Sequence, residues 1–231
     1  MSITENVARI KEEMAQAAVA AGRDPKEILL CAATKMNDAE AVRDAIQAGV
    51  DCCGENRVQE LTLKQSQEAY TGAPVHFIGH LQTNKVKQVV GKVDLIQSVD
   101  SIRLLEAIQK EAAKLGIIQD ILLEVNVGQE ESKTGMDVRE LPQMLEQMGN
   151  YPNIRMRGLM TIPPICENST DSRKFFQEMY NLSVDIMRKK YDNVRVDILS
   201  MGMSDDYREA IACGSTMIRV GTAIFGARNY N

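Results

Sequence analysis

Ile28-Leu29-Leu30-Cys31-Ala32-Ala33-Thr34-Lys35 is an apolar run without alternation that ends on a lysine. A run this short with no polar face reads as a strand covered on both sides, the habit of parallel sheets packed under helices. An amphipathic pattern begins near Asp38, and a second apolar run, Val50 to Gly54, follows it. Consecutive parallel strands need a crossover rather than a hairpin, and right-handed strand–helix–strand units satisfy that need. The unit recurs outward from there. Further runs lie at Val75 to Gly79, Leu95 to Val99, Ile121 to Val127, Arg157 to Ile162, Val196 to Met201 and Met217 to Val220. Helical patterns begin near Val58, Asn84, Ile102, Val138, Ser172 and Asp206. Eight such runs suit an α/β fold closed as a single (β/α)8 TIM barrel. An open, doubly wound sheet would alternate in the same way and stays as the alternative.

Ahead of the first run, Ser2 and Glu5 stand at capping-box spacing and Ile3, Val7, Ile10 and Met14 share one helical face. This N-terminal helix is expected to cover part of the barrel wall, because little chain follows the last strand. Linkers between units are short, so residues 1–231 read as one domain. With 44% hydrophobic and 26% charged residues the chain has an ordinary globular composition. A net charge of −5 and only 6 Tyr, 4 Phe and no Trp argue against a nucleic-acid surface. No apolar stretch approaches the roughly 18 residues of a membrane span. The five cysteines contain no C-x-x-C pair, which favours reduced thiols and a cytoplasmic location over a disulfide framework or a zinc ribbon. Neither His76 nor His80 has a partner at metal-ligand spacing, so no metal is expected.

Residues directly after the apolar runs would line the carboxyl end of a barrel, where such folds place their chemistry. Lys35 would then stand at the mouth of the first strand beside an apolar wall, where a neutral amine is favoured and a Schiff base becomes accessible; a lysine reaching out to solvent is the plainer reading. Ser200-Met201-Gly202-Met203-Ser204 follows strand seven and Gly221-Thr222 follows strand eight, the two loops from which barrels often hold phosphate. Ordinary turn glycines and serine caps would look the same. Arg219 should point inward from the last strand, able only to donate hydrogen bonds. A salt bridge in the barrel mouth is its bland alternative.

These residues carry a resemblance. Ala33-Thr34-Lys35, Gly54-Glu55-Asn56-Arg57-Val58-Gln59-Glu60, His76 to Lys85, Arg157-Gly158-Leu159-Met160, Leu199 to Asp206 and Arg219-Val220-Gly221-Thr222 resemble, in order and over nearly the whole chain, the YggS/PROSC family of pyridoxal 5'-phosphate homeostasis proteins. That family is related to the N-terminal barrel of alanine racemase. Arg57 stands where many members read Tyr, and His80 where many read Pro. The resemblance implies that Lys35 carries pyridoxal phosphate as an internal aldimine. It implies that Ser200, Gly221 and Thr222 hold the phosphate, that Arg219 faces the pyridine nitrogen and that Asn56 lies beside the ring.

An arginine at that nitrogen leaves it unprotonated and weakens the ring as an electron sink. No second base is placed opposite Lys35, and the β domain that supplies one in alanine racemase is not in this sequence. The expectation is therefore cofactor storage and delivery without significant turnover and without catalytic residues. Apo-enzymes that require the cofactor are the implied recipients, and a monomer is the implied state. A racemase, or a Schiff-base aldolase using Lys35 alone, are the competing readings.

Overall fold

The computed structural model describes residues 1–130, 134–166 and 168–226. The eight strands are β1 Leu29–Ala33, β2 Cys52–Glu55, β3 Val75–Phe77, β4 Leu95–Val99, β5 Gln119–Glu124, β6 Ile154–Met160, β7 Val194–Ser200 and β8 Met217–Val220. Each pairs in parallel with its sequence neighbour, and β8 returns to β1 with Leu29 opposite Met217 and Ala32 opposite Val220. That last pairing closes the barrel and disposes of the open-sheet alternative.

The helices are α1 Ile3–Ala20, α2 Ala39–Gln47, α3 Val58–Ser66, α4 Ile102–Leu115, α5 Leu141–Gln147, α6 Arg173–Arg188, α7 Tyr207–Ala212 and α8 Thr222–Phe225. Between β3 and β4 the expected helix near Asn84 is a 3-10 segment, Thr83–Gln88. Among the described residues a single helical turn follows β8, and α1 covers the wall there by packing against α2, α7 and α8. Asn6 Nδ2 donates to Ile224 O at 2.9 Å, and the Tyr207 hydroxyl donates to Glu13 on α1. The N-terminal helix thus covers the wall, as its apolar face predicts. Its Ser2–Glu5 capping box is present.

Burial follows from strand periodicity. Leu30 and Ala32 face the helices in the main core, while Cys31 points into the lumen with Cys52 and Met217. Leu95, Leu122 and Met160 form a second buried cluster, and Ile198 packs against both. In such barrels the carboxyl-end loops carry the binding site. Among the described residues no helix is long and apolar enough to cross a membrane. The one-domain reading of 1–231 extends over positions outside the described residues.

Candidate functional site at the carboxyl end of the barrel

Register builds the site. Cys31 is level with Cys52 and Ala33 with Gly54, so Lys35 and Asn56 leave adjacent strands side by side. On the other flank of β1, Cys31 is level with Arg219 and Ala32 with Val220, which brings Gly221 and Thr222 beside the same strand end. Lys35, Asn56, Arg219, Gly221 and Thr222 are thereby gathered across β2, β1 and β8.

Lys35 is half-buried, in a turn whose next residue, Met36, has φ 62°. Its backbone is held from both sides. Asn37 Nδ2 donates to Lys35 O at 3.0 Å, and Met36 N donates to Glu60 Oε2 at 2.7 Å. Just below, Lys64 Nζ donates to Thr34 O at 2.7 Å and to Glu55 Oε2 at 2.6 Å. Glu55 also accepts from Thr34 Oγ1 at 3.1 Å, from the Tyr70 hydroxyl at 3.3 Å and, on Oε1, from Asn56 N at 2.8 Å. One buried ion pair therefore fixes the backbone leading to Lys35 and the backbone of Asn56 together. Asn56 Oδ1 is buried with no hydrogen-bond partner. A buried acceptor without a donor is costly unless something else supplies one.

Arg219 is 4% exposed and points into the lumen. Its Nη1 donates to Ser200 Oγ at 2.6 Å and its Nη2 to Thr161 O at 2.8 Å, both neutral acceptors. Burial pulls its guanidinium below the ordinary arginine range, opposed by the charges of Glu124 and Asp206. Burial raises the carboxyls of both those acids, although Thr134 Oγ1 donates to Glu124 Oε1 at 2.5 Å. Among the described residues no carboxylate lies within ion-pair reach of Arg219.

Ser200 is placed differently from its expected role at the phosphate. It is the last residue of β7, wholly buried, and its hydroxyl donates to Gln97 Oε1 at 2.7 Å while accepting from Arg219. Its only proton is spent inside the lumen, so this geometry makes Ser200 a partner of Arg219. Ser204 stands at the mouth instead: its Oγ accepts from Ala223 N, in the first turn of α8, at 3.4 Å. Gly202 makes that loop possible. Its φ is 94°, and a Cβ there would lie 2.6 Å from Ala210 Cβ. Thr222, first residue of α8, is exposed. Gln97 and Lys64 were not singled out for chemistry by the sequence, since their partners lie on other strands and helices.

A parallel barrel with a lysine beyond β1 and a buried arginine on β8 is an alanine racemase N-terminal-type barrel, and the family model described as "Alanine racemase, N-terminal domain" matches residues 2–229. A pyridoxal phosphate homeostasis protein of Aquifex aeolicus is 43% identical, with 100% of each chain covered. This chain belongs to that family of pyridoxal phosphate homeostasis proteins. Among solved structures, a protein of Bifidobacterium adolescentis superposes with a TM-score of 0.91 at 40% identity, covering 96% of this chain and 94% of that one. PipY of Synechococcus elongatus, solved with PLP bound, superposes with a TM-score of 0.84 at 32% identity, covering 97% of this chain and 100% of PipY.

Proposed function

We propose that this protein binds pyridoxal 5'-phosphate on Lys35 and takes part in its homeostasis, storing and delivering the cofactor without significant turnover. The observation that carries the reading is the strand register that sets Lys35 beside the unpartnered Asn56 Oδ1 and above an arginine held by neutral acceptors. When bound, the cofactor supplies an aldehyde that captures amines and a ring that accepts electron density. The rest belongs to the chain. Lys35 offers the amine, with its backbone fixed by Glu55 and Lys64. Arg219 donates toward the ring nitrogen and keeps that nitrogen an acceptor, and Ser200 and Gln97 hold Arg219 in place. Gly221, Thr222 and Ser204 take the phosphate where two loops meet. Asn56 lies beside the ring. Cofactor-requiring apo-enzymes as recipients, a monomeric state, a single domain over 1–231 and a cytoplasmic location complete the proposal.

The test is chemical. Borohydride added to the cofactor-loaded protein should fix the adduct on Lys35 in the peptide map; an adduct mainly on another lysine, such as Lys133, which lies outside the described residues, would overturn the assignment. The same protein incubated with common L-amino acids should form no enantiomer or keto acid faster than roughly once per second, near the low end of enzyme rates. Faster turnover would favour the racemase reading, and His80→Phe would then be the first variant made. His80 lies at the carboxyl end, with Nδ1 3.7 Å from Asp100.

A further inference from the structure

Beside Arg219, strands β1, β2 and β3 each send one soft or nitrogen donor into the lumen. The Sγ atoms of Cys31 and Cys52 and a ring nitrogen of His76 lie within 4.8 Å of one another, all three residues buried. Tetrahedral zinc with two thiolates and an imidazole spaces its ligand atoms roughly 3.5 to 3.8 Å apart, given bonds of about 2.3 and 2.0 Å. Closing by at most about 1.3 Å is within the reach of side-chain torsions. Gly54 leaves the room, because a Cβ there would lie 2.9 Å from Cys31 Sγ. Met217 belongs to the same buried cluster as both cysteines, and its thioether sulfur accepts from Gln97 Nε2 at 3.2 Å.

We propose that Cys31, Cys52 and His76 form a binding site for one thiophilic d10 cation, Zn2+ or Cu+, inside the barrel. Two thiolates and an imidazole are the donor set such ions select, and Met217 as a fourth ligand would favour Cu+. Coordination would bring both thiols to the thiolate form, releasing their protons to solvent.

The site would not be isolated from the one above it. His76 Nδ1 is 2.9 Å from Gln97 Nε2, which leaves Nε2 of the ring for the cysteines. A metal on that Nε2 moves the ring proton to Nδ1, and Gln97 must reverse its amide to accept it. The reversed amide then presents Nε2–H to Ser200, the partner of Arg219. Metal occupancy and the arginine at the mouth share one relay.

Sequence spacing hides this site, since its ligands come from three successive strands. The test uses the intact, reduced protein stripped of metal by a chelator. Titration with Zn2+, and separately with Cu+ kept in solution by acetonitrile, should show one equivalent bound with Kd below about 1 µM in competition with a chromophoric chelator. X-ray absorption should find two sulfurs and a nitrogen around zinc, or two to three sulfurs and a nitrogen around copper. The chain has only two histidines, so 15N spectra resolve them, and His76 should move while His80 does not. C31S/C52S should weaken binding at least roughly 100-fold, and C166S/C213S should leave it unchanged. If C31S/C52S does not fold, the wild-type absorption and histidine spectra decide alone. Failure of both ions to bind stoichiometrically, a shell of nitrogen and oxygen only, or a shift at His80 instead would overturn the proposal. The ion held more tightly identifies the metal. None of these readouts requires Lys35 or bound pyridoxal phosphate.

Discussion

Two buried polar networks flank the end of β1, and they are built on opposite principles. On the helix side of the wall, Glu55 and Lys64 pair at 2.6 Å with Thr34, Tyr70, Asn56 N and Glu60 completing their bonding. In the lumen, Arg219, Ser200, Gln97 and His76 form a chain in which the guanidinium hydrogen-bonds only neutral partners. The first network closes its charges and fixes backbone. The second meets acidic groups only at a distance, Glu124 and Asp206, and leaves its cation without a direct ionic partner among the described residues, a place for an anionic or electron-rich ligand. A scaffold and a receptor are thus distinguishable by whether their charges balance internally.

The sharpest way to break that contrast is to unbalance the scaffold. Lys64→Met would leave Glu55 ionised and unpaired in a position with no solvent exposure. Removing one partner of a buried pair costs about 3 to 5 kcal/mol, which for a domain of this size lowers Tm by roughly 10 °C. The expected outcome in a thermal melt is that loss, accompanied by weaker aldehyde capture at Lys35. Glu55→Gln with Lys64→Met should recover part of it, because Gln removes the charge and keeps one acceptor oxygen for Asn56 N, while its amide NH2 meets the Tyr70 and Thr34 hydroxyls, which can turn to accept. A single variant as stable as the parent would show that the ion pair is incidental.

A middle-sized effect separates the receptor from its rim. Ser200→Ala strands Arg219 Nη1 and Gln97 Oε1 in a dry interior, a penalty of about 1 to 3 kcal/mol visible without any cofactor. Thr222→Ala, at an exposed position, should change stability by no more than about 0.5 kcal/mol. Its cost should appear as a roughly tenfold or greater loss of cofactor affinity, one charge-assisted hydrogen bond's worth. Paired melts and spectrophotometric titrations of the two variants check this. Equal stability losses would mean that Thr222 has a structural role the exposed turn does not reveal.

That division also marks what the sequence could reveal. Apolar runs with helical patterns between them made the barrel legible, because strands buried on both faces cannot hide their composition. Lys35, Gly221 and Thr222 were legible as strand-end residues, where position alone implies the barrel mouth. Ser200 was not. Strand β7 runs one residue further than the start of a loop would, and strand alternation turns that hydroxyl inward beside Arg219. The lumen chain escaped for the same reason, since Gln97 and His76 acquire partners only when β3, β4, β7 and β8 close into a ring. The helix expected near Asn84 became 3-10 because Thr83 to Gln88 is a brief link between neighbouring strands, with Val86 its buried anchor.

The smallest effect tests where the charge balance of Arg219 lies. Glu124 is 2% exposed, and burial raises its carboxyl above the ordinary range even though Thr134 and Arg219 oppose the rise. A carboxyl whose folded value is raised binds its proton more tightly in the folded state than in the unfolded one. Stability therefore falls as pH climbs from the ordinary carboxylate value through the raised one, and the full penalty is present above it. Glu124→Gln removes that penalty but also removes the negative charge that supports Arg219. The variant should be relatively more stable at neutral pH than at pH 4, since below both values the parent is already neutral there. Melting curves across that range give the sign. If the difference instead grows as pH falls, Glu124 is ionised in the fold down to low pH, and Arg219 is paired with it more strongly than the geometry of its neutral partners indicates.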